Sequence, residues 1–144
     1  MRATFFAVSL VVASLLPAFA AEKTVNLKLV TKHLETKDGE AKFFGVAVTP
    51  EGRIGVKDWT FKPADSTGLS TYSWDDGSAI TASFTLKQGS EKGHFTGEYT
   101  ILSGAGAYSG ATGTGSFKGR DPSVSGLKGA GLVDVVLKVN APSQ

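Results

Sequence analysis

The residues able to do chemistry in this 144-residue chain are few and widely spaced. There is no cysteine, which excludes thiol nucleophiles, disulfides and thiolate metal sites. His33 and His94 are the two histidines; they lie on distant segments without metal-ligand spacing, so both are expected at the surface and no metal site is expected. No nucleophile elbow is present. Two carboxylates stand out because each interrupts an apolar run: Asp58 in "VKDWTF" and Asp134 in "LVDVVL". A carboxylate in an apolar interior has a raised pKa and can exchange a proton near neutrality. If the chain catalyses a reaction, Asp58 and Asp134 are the expected catalytic pair, pointing into one cavity. Tyr99 and Tyr108 would supply phenolic hydrogen bonds. The plainer alternative is that each aspartate faces water on an alternating strand.

A second candidate for chemistry is the stretch "ILSGAGAYSGATGTGSFKG", from Ile101 to Gly119. Gly104, Gly106 and Gly110 give G-x-G-x-x-x-G, one residue too long for a dinucleotide fingerprint, and no Lys-Ser or Lys-Thr pair makes a P-loop. A phosphate loop must open a helix, whose N-terminus faces the anion. Here Thr and Gly follow, both poor helix formers. The glycines are therefore expected to shape the backbone, in turns and bulges. No cofactor is expected.

The elements that would position these groups are strands. Apolar and polar residues alternate over short runs, each closed by a turn signal. The pattern predicts strands near Thr24–Glu35, Glu40–Thr49, Ile54–Lys62, Leu69–Trp74, Ala79–Lys87, His94–Leu102, Ala111–Lys118 and Gly131–Val139. The connectors carry Gly, Pro or Asp in turn roles, and "DG" between alternating strands is a strong hairpin signal. One face of each late strand is apolar and the other small-polar or charged. Eight such strands must close to bury the apolar side, and closure removes exposed edges. The expected fold is all-β: a single eight-stranded antiparallel barrel in an up-and-down meander. Its interior would hold side chains or one small ligand. Trp74, Phe84, Tyr99 and Phe117, with Gly113 and Gly115 on the same predicted inner face, are the expected ligand-binding residues. The glycines would leave room that either neighbouring side chains or a ligand could fill.

Residues 1–20 read as a signal peptide: Arg2, the apolar "FFAVSLVVASLL", and "AFA" before Ala21 as a small-x-small cleavage site. Cleavage is expected after Ala20, which places the 21–144 barrel domain in the periplasm or outside the cell. That part is nearly neutral, with Lys, Asp and Glu interspersed. No basic stripe points to nucleic acid. A membrane barrel would need an apolar outward band and aromatic girdles. The second face instead carries Thr, Ser, Lys and Glu, so no membrane insertion is expected after processing.

At "YSWDDGSAITASFTL" and "GEYTILSGAGAYSGATGTGSF" the chain resembles the allene oxide cyclase-like and dirigent-like barrel superfamily. Those proteins share G-x-Y/F-x-I and G-G-T-G-x-Y/F-x-G-A-x-G on two consecutive late strands. Gly97, Tyr99 and Ile101 match the first part. Gly104, Gly106, Tyr108, Gly110, Ala111 and Gly113 match the second, with Ser103 and Ala105 departing from it. The resemblance covers roughly a third of the chain after residue 20. It implies an eight-stranded barrel with an apolar central cavity, an assembly as a homo-oligomer (trimers in the family), and relatives among small secreted bacterial proteins. It also implies that polar groups inside the cavity carry any chemistry, although the glycine motif does not say which.

Three functions remain compatible with these residues. The leading one is a barrel that binds a small apolar molecule without transforming it. The second is an isomerase, cyclase or dirigent-type protein that steers a reactive hydrophobic intermediate. The third is a non-catalytic envelope or interaction protein.

Overall fold

The computed structural model describes residues 21–122 and 127–142; the expected signal peptide lies outside the described residues. Eight strands follow one another: β1 (Ala21–Lys37), β2 (Glu40–Val48), β3 (Ile54–Lys62), β4 (Thr67–Trp74), β5 (Ala79–Gln88), β6 (His94–Ala105), β7 (Thr112–Arg120) and β8 (Ala130–Ala141). Each pairs antiparallel with the next, and β8 pairs with β1 to close the barrel. The expected all-β meander is the observed fold. The turns between strands use the chemistry their residues imply. Asp38 and Gly39 both take positive φ in the β1–β2 hairpin. Asp76 accepts the Ser78 backbone N–H at 2.8 Å in the β4–β5 turn.

Burial alternates along the strands as a barrel requires. The inward positions of β1 are Val25, Leu27, Leu29 and Thr31; those of β8 are Val133, Val135, Leu137 and Val139. The aromatic residues concentrate on the inward faces of β3 to β7, and six of them lie opposite a glycine in register. Trp74 faces Gly55, Phe61 and Phe84 flank Gly68, Phe117 faces Gly97, Tyr99 faces Gly115, and Phe95 faces Gly119. A Cβ on Gly68, Gly97 or Gly119 would strike the ring of its partner. The small residue lets the large one lie across it, which is how a narrow barrel fits bulky side chains at interior density.

The two ends of the barrel differ. At one end, the β6–β7 connection makes a single 3-10 turn, Gly106–Tyr108, that drops Tyr108 onto Trp74 with ring centroids 5.4 Å apart. Both rings are buried. At the other end, Phe43, Trp59, Phe61, Leu86 and Phe95 are only half-buried.

Candidate functional site

The centre of the barrel is organised around one charged side chain. Lys57 follows from strand period: Gly55, Lys57, Trp59 and Phe61 share the inward face of β3, and Lys57 is 4% exposed. Its Nζ donates to Tyr99 Oη at 2.8 Å, and Tyr72 Oη donates to the same oxygen at 2.9 Å. Five rings surround the amine: those of Trp59 at 4.8 Å, Tyr72 at 5.3 Å, Tyr99 at 5.4 Å, Phe84 at 5.8 Å and Phe117 at 5.9 Å from their centroids. Such distances place the amine within reach of the negative ring faces. Burial pushes the Tyr72 phenol well above its usual range, and the neighbouring Tyr99 adds to this. Tyr72 therefore stays protonated and acts as a donor.

The half-buried aromatics form a mouth above this cage. Phe43 stacks on Trp59 with centroids 3.8 Å apart and planes 10° from parallel, and His33 meets Phe43 edge-on at 5.1 Å. Trp59 in turn meets Phe84 at 5.7 Å, so the mouth and the cage share a wall. Among the described residues, Trp59 Nε1 and Ser70 Oγ on the inner wall of this side are buried without a hydrogen-bond partner, as is Trp74 Nε1 at the closed end. Trp59 and Ser70 are register partners, one step toward the mouth from the Lys57–Tyr72 pair.

No family model and no curated protein matches the chain. Among solved structures it is similar to that of a pterocarpan synthase dirigent protein, with a TM-score of 0.61 over 98% of this chain and 100% of that one, at 13% identity. The chain has a dirigent-like barrel fold. At that identity the likeness extends to the fold and no further.

The expected site residues divide sharply within this dirigent-like barrel. Phe84, Tyr99 and Phe117 are brought together around Lys57. Trp74 points inward but sits at the closed end against Tyr108. Gly113 and Gly115 face inward, yet the room they leave is taken by β8. A Cβ on Gly113 would meet the Lys138 carbonyl, and one on Gly115 would lie 2.6 Å from the Val136 carbonyl and 2.8 Å from Leu137 Cδ2. Their smallness admits a neighbouring strand, not a ligand. The middle of the barrel is likewise filled: Tyr72, Ile80 and Leu137 have no exposed surface. A groove of about 720 Å³ instead runs along the outer wall, past Val30, Val46, Lys118 and Asp134.

The aspartate pair requires correction. Asp58 and Asp134 lie on the outer face and do not meet in a cavity. Burying Trp59, Phe61, Val133 and Val135 fixes the parity of β3 and β8, and that parity turns both aspartates outward. Asp134 accepts a hydrogen bond from Lys28 Nζ at 2.8 Å, with the two side chains 48% and 86% exposed. That hydrogen bond holds the Asp134 carboxyl below its usual range. An exposed pair of this kind contributes about 0–1 kcal/mol. Lys57 and Tyr72 are the residues that sequence reasoning missed. The available signal was parity, because counting back by two from Phe61 and Trp59 puts Lys57 inside.

Proposed function

We propose that this dirigent-like barrel takes up a small, largely apolar aromatic molecule at the mouth formed by Phe43, Trp59, Phe61, Leu86 and Phe95. The observation that carries the reading is the half-burial of these large rings at one end, continuous with the caged centre. A flat ring inserted beside the Phe43–Trp59 stack would bury apolar area on both faces and meet edge-on neighbours in the geometry aromatic rings favour. The second reading is a barrel that steers a reactive hydrophobic intermediate. It rests on the fold shared with a protein described as a pterocarpan synthase dirigent protein. Under that reading the same mouth would hold the intermediate by shape.

Isothermal titration with 2-naphthalenemethanol, a neutral aromatic probe, tests uptake. Wild-type protein is expected to bind it, and Phe43→Ala to weaken binding by about tenfold, as loss of a central aromatic contact does. The melting temperature should be largely retained. Absence of binding to the wild type, or equal binding by the variant, would sink the reading.

A further inference from the structure

The interior polar groups around Lys57 are nearly all hydrogen-bond donors. An ammonium carries three N–H groups, and Lys57 uses one, toward Tyr99. Tyr99 Oη already accepts from both Lys57 and Tyr72, which leaves its own hydrogen to donate. Trp59 Nε1 is a donor only and has no partner; Ser70 Oγ is fully buried and has none either. Among the described residues the buried polar and charged side chains are Thr31, Lys57, Ser70 and Ser78, with no carboxylate. A buried ammonium facing only rings and a phenol lacks the anion that would offset its desolvation. The unpartnered donors of Trp59 and Ser70 lie on the mouth side of it, next to the stacked Phe43 ring.

We propose that Lys57, with Ser70 and Trp59, forms an acceptor-binding subsite that selects aromatic molecules carrying an anionic head, such as an aryl carboxylate. The aromatic body stays in the mouth ring while the head reaches down to the amine. One negatively charged group would offset the lysine charge and give the Ser70 and Trp59 donors the acceptor they lack. Charge-assisted bonds of this kind are about twice as strong as neutral ones. A cationic head is disfavoured, because the position over the rings is already held by the Lys57 ammonium and like charges repel.

This inference rests on the mouth reading above, and the two can fail separately. Three probes with one aromatic body are compared by titration calorimetry at fixed ionic strength: 2-naphthoate, 2-naphthalenemethanol and (2-naphthylmethyl)trimethylammonium. The wild type is expected to favour naphthoate over the alcohol by about tenfold or more, as a charge-assisted contact predicts. The cation should bind weakest. Lys57→Met should bring the acid-to-alcohol ratio close to one, which separates this subsite from chance attraction to surface lysines. Should Lys57→Met fail to fold, the wild-type head-group order decides together with Ser70→Ala, which should lower naphthoate affinity selectively. Equal binding of acid and alcohol by the wild type overturns the inference and leaves the mouth reading standing, as does an unchanged preference in Lys57→Met. Failure of all three probes to bind overturns both.

Discussion

The two ends of the barrel are made from the same materials, aromatic rings and glycines, and put to opposite uses. At the closed end Trp74 and Tyr108 are buried beneath a turn whose geometry depends on Gly106, at φ +59°, and on Gly110, at φ +73°. At the mouth the rings of Phe43, Trp59 and Phe61 are left half in water beside a charged group. An apolar ring is stabilising in proportion to the area it hides. The closed end is where burial is completed, and the mouth is where it is left unfinished. That contrast separates structural aromatics from ones available to a ligand.

The largest effect is expected at the approach to the closed end. Gly113 has φ +136°, and a side chain there would run into the Lys138 carbonyl. Gly113→Val should cost about 3 kcal/mol or more, combining backbone strain with overpacking. A chemical denaturation midpoint close to that of the wild type would show that β7 and β8 have more freedom than their register implies. A matched pair of truncations sharpens the comparison. Tyr108→Ala should cost about 3–5 kcal/mol as a buried aromatic, whereas Phe61→Ala should cost about 1–2 kcal/mol and weaken aromatic ligands instead. Equal losses of stability in the two variants would erase the distinction between the ends.

The smallest effect is confined to alkaline pH. Burial raises the Tyr72 pKa in the folded protein above its unfolded value. This group's contribution to stability is therefore fully present below the ordinary phenol pKa of about 10, and it is lost as pH rises from there toward the folded value. Tyr72→Phe should flatten that part of the stability profile in urea titrations above pH about 10. A wild-type profile of the same slope as the variant's would mean that Tyr72 ionises without resistance.

How much of this was readable in advance varies with the range of the interaction. Strand existence depends on local alternation and turn residues, so all eight strands were recovered, β3 with its observed bounds Ile54–Lys62. The ends of β1 ran longer than expected because pairing with β8 and β2 carries residues that local pattern alone leaves undecided. The site was less legible. Asp58 stands out in the sequence as a charge within an apolar run, although the inward charge is its neighbour Lys57. Lysine is so rarely buried that its charge outweighed the strand parity that Trp59 and Phe61 make plain. For Gly113 and Gly115 the sequence contained no means of choosing between ligand space and close strand approach. That choice is made by β8, which packs against them only once the register with Val136 and Lys138 is set.

The closing pair of strands has a kinetic consequence. Seven of the eight strand pairings join neighbours in sequence and can form by local hairpin growth. The eighth runs from Ala21 opposite Ala141 to Lys32 opposite Ala130, and so unites the first strand with the last. The entropy of that long loop is lost before the seam returns any contact energy, and folding slows as contacts become more distant in sequence. Until the seam is made, β1 and β8 present bare edges, the sticky surfaces through which β proteins aggregate. The window of danger for this chain lies in the interval before closure, and its length is set by how fast two distant strands find each other.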